Sequence, residues 1–267
     1  MQMDVKKKIL TIYNWGFLSK DKVDANQKKI REVEWDAVKP YIPTGSSFLD
    51  VGCGAGYAMK KATEELKCDA FGIDPQPGGH GVGRYSELDK TLKIIQGVSG
   101  KIPFEDKTFD VVYSSHVLEH VRDEQKSLQE MNRVLKNNGV LIIGMPTATM
   151  ARINNLSQIL FTTHQRVFNV LFEWIPFITT GKTSFINMLI PESHSSPRAK
   201  TIFYDMRHYR IKSWRKTVEK NFKIDQVLTP ALYPFPEYRQ MFKMKKNARL
   251  SSSVFFVCRK KSLLISY

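Results

Sequence analysis

The chain has 267 residues, 42% hydrophobic and 25% charged, a folded-domain composition that excludes a disordered or collagen-like chain. Its length suits one sizeable α/β domain with an insertion, or two small domains. The net charge of +15 is unevenly placed: residues 1–150 hold 21 Lys/Arg against 20 Asp/Glu, and residues 151–267 hold 20 against 6. The first part reads as a neutral core and the second as a face suited to something anionic. Cys53, Cys68 and Cys258 form no CxxC pair, which argues for a reducing compartment and against structural zinc. The opening MQMDVKKKILTIYNWGF has a basic run without an apolar stretch of signal-peptide length. No run of about 18 uncharged apolar residues follows, so the expectation is a cytoplasmic chain without a membrane span.

In chain order, Ile30, Val33, Ala37 and Val38 recur at helical spacing, and Pro40 and Pro43 close that helix. From residue 46 short apolar runs alternate with helical patterns. SSFLDV (46–51) predicts a strand, 56–67 a helix, DAFGID (69–74) and TLKIIQ (91–96) two strands, and FDVVYSS (109–115) a fourth. A helix over 121–136 and a strand over VLIIGMP (140–146) follow. Buried strands alternating with helices imply a parallel sheet covered on both faces. After residues 147–204 the pattern resumes with a helix marked by Ile211, Trp214 and Val218. Two more strands follow, KIDQVL (223–228) and SVFFVCR (253–259).

FLDVGCGAG (48–56) is the sharpest signal. Gly52, Gly54 and Gly56 follow a strand and open a helix, where glycine permits a tight turn and the close approach of a ligand. The spacing is GxGxG, not the GxGxxG of dinucleotide sites. Asp50 ends the strand where a carboxylate meets an ammonium more readily than a phosphate. Asp74 ends the next strand, where an acid can accept both hydroxyls of a ribose. That acid also fits NAD, so Asp74 alone does not decide.

Four motifs in order decide. FLDVGCGAG, FGIDPQ (71–76), KIPFEDKTFDVVYSSHVLEHV (101–121) and QEMNRVLKNNGVLIIGMP (129–146) resemble class I S-adenosylmethionine (SAM)-dependent methyltransferases of the type 11 group, over roughly residues 45–146. The resemblance implies a Rossmann-like α/β fold: a mostly parallel seven-stranded sheet, helices on both faces, and a helical cap inserted after strand five. It divides the chain into a helical preamble (1–45), the SAM-binding core (46–146), the cap (147–204) and a last helix with strands completing the sheet (205–267). It also implies that Asp50 and the Gly52–Gly54–Gly56 backbone face the methionine end of SAM, and that Asp74 takes the ribose. Pro75 and Gln76 then lie along the adenine, and Ser115 and His116 close the pocket. Many relatives carry an acid for the adenine amino group where this chain has Val98; Ser99 or a backbone carbonyl is left to substitute. Cys53 reads as a packing residue, since methyl transfer from a sulfonium requires no enzyme nucleophile.

His116, Glu119 and His120 fall at i, i+3 and i+4, one face of a helical turn. They read as a general base, as part of a metal site like the ExxEH segment of some ubiquinone-pathway methyltransferases, or as a structural cluster. The expectation entered here is no metal, with His116 and His120 as candidate catalytic groups.

In 147–204, Leu156, Ile159, Leu160, Val167, Val170, Leu171, Trp174, Ile175 and Ile178 share one helical face. This predicts a helix over 153–178 that either packs on the core as a lid or lies on an anionic membrane surface. Residues 191–222 resemble a segment of bacterial methyltransferases tied to glycan and lipid pathways. The resemblance makes His194, Tyr204, Asp205, His208 and Tyr209 candidates for facing the acceptor, with His208 the third catalytic candidate. The leading reading is O-methylation of a small lipid-linked or glycan-type molecule. A nucleic-acid methyltransferase is second, although YSSH replaces the NPPY-type motif after strand four, and no specific nucleic-acid partner is expected. A non-catalytic relative is third.

Overall fold

A computed structural model describes residues 17–83, 88–160, 202–237, 244–246 and 250–261. Helix α1 (Lys20–Val38) leads through a short 3-10 turn to β1 (Ser47–Val51), α2 (Tyr57–Leu66), β2 (Asp69–Asp74), β3 (Lys93–Gln96) and β4 (Phe109–Ser115). Next come α3 (Glu124–Val134), β5 (Leu135–Pro146) and α4 (148–160), the last running to the edge of the described residues. After the gap follow α5 (Ile202–His208), α6 (Ile211–Val218), β6 (Phe222–Leu228), β7 (Ala231–Leu232), β8 (Lys245–Lys246) and β9 (Ser253–Lys260).

Seven strands form one sheet in the order β3-β2-β1-β4-β5-β9-β6; β7 and β8 pair separately. The first five run parallel, and β9 runs antiparallel to both β5 and β6. The strands expected from the sequence are all present. Helices cover both faces because the central strands are apolar on both. Trp35 and Val38 of α1 and Met59 and Ala62 of α2 fill one side. Leu128, Met131 and Val134 of α3, with Trp214 and Val218 of α6, fill the other. Each large apolar side chain buried this way contributes about 1.5–3 kcal/mol. The order of the strands reverses between β1 and β4, so the carboxyl ends of those strands open a crevice where doubly wound sheets take their ligands.

Helix α3 differs from the sequence expectation at both ends. Helix α3 begins at Glu124 rather than 121, because the Asp123 side chain caps it by accepting the Lys126 N–H at 2.9 Å. It ends at Val134 rather than 136, because Leu135 pairs with Phe109 in the sheet. A register shift before Val140 then absorbs the intervening Lys-Asn-Asn-Gly, a local irregularity that apolar periodicity does not signal. Helix α4 has a direction that the apolar period left open. Its inward face consists of Ala151, Asn154 and Ser157, while Leu156, Ile159 and Leu160 are about half exposed. Of the apolar residues expected to share a face, Leu156, Ile159 and Leu160 lie among the described residues, and they point outward together. The remainder of the helix expected over 153–178 lies outside the described residues.

Candidate cofactor site

The turn after β1 shapes the site. Gly52 and Gly54 have φ of +80° and +54°, the left-handed region that side chains avoid. A Cβ on Gly52 would stand 2.2 Å from Val117 Cγ2, and one on Gly54 2.5 Å from the backbone oxygen of His80. Gly56 starts α2. Backbone therefore faces the crevice, with a cavity on either side. The larger, about 440 Å³, is lined by Gly52, Pro75, Val98, Ser99 and His120, among others. The smaller, about 140 Å³, takes in Arg31, Asp50, Gly52, Gly54, Ser115 and His116. Both are bounded by Gly52, so the turn divides one elongated crevice.

Asp74 closes β2 with its carboxylate turned back into the turn: Oδ2 accepts the Gly54 N–H at 2.9 Å and Oδ1 the Gln76 N–H at 2.7 Å. Each oxygen keeps lone-pair capacity for a further donor. Asp50 is equally buried, yet makes no side-chain hydrogen bond to any described residue. Burial, reinforced by the charge of Asp74 and only partly offset by Arg31, pushes its carboxyl up to about 8. The Tyr57 hydroxyl, on the same cavity wall, is buried with no hydrogen-bond partner among the described residues. A buried hydroxyl without a partner is costly unless a ligand completes it, and the Asp50 carboxyl lines the same cavity.

In the expected adenine region, Val98 is exposed on the cavity rim, and Ser99 is buried with Oγ 2.8 Å from Ser127 Oγ on α3. Pro75 lines the same cavity. Gln76 is exposed beside it, held through its N–H on Asp74.

HVLEH does not form the expected helical turn. His116 takes φ +57°, and only Leu118–His120 make a 3-10 turn. The side chains nonetheless converge. His116 Nδ1 lies 3.5 Å and His120 Nε2 3.9 Å from Oε1 of the buried Glu119. His116 Nε2 lies 3.3 Å from Oε1 of Glu34 on α1. That carboxylate also receives the Tyr233 hydroxyl at 2.8 Å and Arg31 Nη1. Burial and Arg31 both oppose charge on His116, but Glu34 and Glu119 outweigh them and raise its pKa. Burial opposes charge on Glu34 too, and Arg31 and His116 hold its carboxyl well below the usual range.

His208 stands apart from both cavity linings. Its Nε2 lies 2.9 Å from Glu124 Oε1, and its ring stacks on Tyr204 and meets Trp214 edge-on, each at 4.9 Å. Asp205 and Tyr209 are buried beside it. His194 lies outside the described residues. Sequence reasoning misses Arg31, Glu34, Tyr57 and Tyr233, because no motif spacing joins α1 to a loop some 200 positions later. The available hint is an Arg–Glu pair at i, i+3 beside the buried Val33 and Trp35.

Residues 49–143 match the family described as a methyltransferase domain. Sterol 24-C-methyltransferase erg6 of Schizosaccharomyces pombe is 33% identical over 120 residues, 43% of this chain and 31% of that protein. The tRNA U34 carboxymethyltransferase of Aeromonas hydrophila is 30% identical over 116 residues, 41% of this chain and 35% of that protein. A SAM-dependent methyltransferase from Thermotoga maritima shares the fold, with a TM-score of 0.52 over 89% of this chain and 92% of that one, at 19% identity. Residues 49–143 are a class I SAM-dependent methyltransferase domain.

The methyl donor of such a domain is SAM, which supplies a methyl group on a sulfonium. The match spans about a third of the length of those curated relatives, and it ends before α4, so the methyltransferase domain and the parts that select an acceptor are separate questions. The site's donor set fits the cofactor: a buried acid without a partner for a cation, a second acid at a strand end for hydroxyls, and exposed backbone at a glycine turn. Among the described residues no helix is long and apolar enough to cross a membrane.

Proposed function

We propose that the chain methylates an oxygen of a small, lipid-linked or glycan-type acceptor by direct in-line transfer from SAM. In this reading Asp50 faces the ammonium at the methionine end, with Arg31 and the Tyr57 hydroxyl available to its carboxylate. Asp74 takes the ribose hydroxyls, and Pro75 with the Val98–Ser99 rim flanks the adenine. The protein's contribution is alignment and exclusion of water, with a proton removed where the acceptor oxygen requires it. His120, on the wall of the larger cavity, is the candidate for that proton, in preference to His208, which is paired with Glu124 away from both cavities.

The observation that carries the lipid reading is the outward apolar face of α4. Leu156, Ile159 and Leu160 stand exposed on a helix that starts directly after β5, in the half of the chain with 20 basic and 6 acidic residues. Apolar side chains and basic charge together suit a lipid tail under anionic head groups. The relatives act on unlike acceptors, a sterol carbon and a tRNA base by their names, so the acceptor is tested directly. Mass spectrometry of lipid and glycan extracts from cells with and without the gene should show a species heavier by one methylene only when the gene is present. Transfer to purified tRNA or rRNA at physiological salt would favour a nucleic-acid substrate instead.

Two further results are expected. The chain should sediment with liposomes containing anionic lipid and not with neutral ones. By sequence, Phe168 and Phe172 widen the apolar stripe expected over 153–178, so Phe168→Asp with Phe172→Asp should abolish that while leaving SAM affinity intact; wild type that never sediments rejects the membrane surface. Second, SAM binding should release a proton at neutral pH. Asp50 is protonated below about 8 in the free protein and ionises to meet a cation, so affinity should rise as pH approaches 8. Calorimetry in buffers of different ionisation enthalpy measures the release, and Asp50→Asn should remove it.

A further inference from the structure

Helix α1 covers the smaller cavity and is attached to the core at a few polar points. Asp24 Oδ1 accepts the Gly83 N–H at 2.9 Å, tying α1 to the loop after β2. Trp35 Nε1 donates to Glu65 of α2 at 3.0 Å. Nearest the cofactor cavity, Glu34 pairs with Arg31 one turn earlier on the same helix and joins α1 to two other places, Tyr233 and His116 beyond β4.

His116 is enclosed from both sides. One ring nitrogen faces Glu34 from α1 and the other faces Glu119 from the 3-10 turn, and both carboxylates are buried. Neither oxygen of Glu119 has a hydrogen-bond partner meeting normal geometry, so its charge depends on a neighbouring cation. The groups surrounding the ring are Arg31, Asp50, Tyr113 and Tyr233 besides the two glutamates. The Tyr113 phenol is held neutral by burial. Within the cluster of Arg31, Glu34, His116 and Glu119, two negative charges meet one fixed positive charge. Charge balances when His116 carries the second.

We propose that His116 is a positioning residue and not the general base: a doubly paired imidazolium that fastens α1 over the methionine end of the cofactor site and, through Glu34, keeps Arg31 on the cavity wall. A ring with both N–H groups directed at carboxylates has no lone pair with which to take a proton from an acceptor. The backbone agrees with a fixed role. His116 adopts a left-handed φ of +57°, which a non-glycine residue holds only where its surroundings enforce it, and its N–H is bound to the Gly144 oxygen at 2.9 Å. His120 lies farther from Glu119, at 3.9 Å, is 43% exposed and lines the larger cavity.

This inference rests on SAM occupying the site, so the test begins with calorimetry of SAM on the wild-type protein; absence of binding there rejects the cofactor reading itself. Given binding, nitrogen-edited NMR of the histidine rings, with the His116 signal assigned by its loss in His116→Gln, reports the charge state in the wild-type fold. The expected result is an imidazolium at pH 7, above the ordinary histidine pKa of about 6.5. Glu34→Gln keeps the shape and removes one charge. It should return the His116 titration toward the ordinary range and weaken SAM by about tenfold or more, the effect of losing one charge-paired contact. A neutral His116 ring at pH 7 in the wild type overturns the proposal. A Glu34→Gln protein that binds SAM within about twofold of wild type overturns it equally. Should Glu34→Gln fail to fold, the wild-type titration alone decides.

Discussion

Asp74→Ala is expected to weaken SAM binding by about 1.5–3 kcal/mol, the worth of hydrogen bonds to a charged group, and to act through two routes at once. The carboxylate is the acceptor available to two ribose hydroxyls, and it already holds the turn together through Gly54 and Gln76. Alanine removes the ligand contact and leaves two backbone N–H groups without an acceptor. Asp74→Asn separates the routes: its amide oxygen can accept one N–H, so part of the turn survives while the charge is lost. Calorimetry should rank affinity as wild type, then Asn, then Ala. Affinity unchanged in Asp74→Ala would remove the ribose from this position.

The second large effect concerns stability. Trp214 of α6 is fully buried, donates Nε1–H to the Pro146 oxygen at 2.9 Å, and stacks on Tyr209 at 5.6 Å. It therefore joins the last helix to the end of β5, where α4 departs toward the acceptor side. Trp214→Ala should destabilise the fold by about 3–5 kcal/mol, combining lost burial with the cavity left behind. Trp214→Phe retains most of the packing and loses the hydrogen bond, at a cost nearer 1 kcal/mol plus an unsatisfied carbonyl. Denaturant unfolding measures both. Equal losses for Phe and Ala would mean that the hydrogen bond, rather than the filled volume, secures this corner.

The sheet is legible in the sequence because its strands are continuous apolar runs separated by helical periodicity, and each run appears in place. The cofactor turn is legible because its chemistry is local: glycines at fixed offsets from Asp50, and Asp74 at the end of the next strand. What the sequence hides is assembled from a distance. Glu34, Tyr233 and the neighbouring His116 and Glu119 come from three segments and meet only after the sheet forms. The left-handed backbone at His116 is concealed by a residue type and spacing that suit a helix equally well. In α4 the sequence shows an apolar period but leaves its direction open. Periodicity identifies a face without saying whether core or solvent receives it, and here Ala151, Asn154 and Ser157 turn inward.

The central claim, that the crevice at the glycine turn holds SAM, is tested most directly by calorimetric titration of the purified chain with SAM, S-adenosylhomocysteine and NAD. One saturable site is expected for SAM and for S-adenosylhomocysteine, and no heat of binding for NAD. Saturable binding of NAD, with none of SAM or its product, would contradict it.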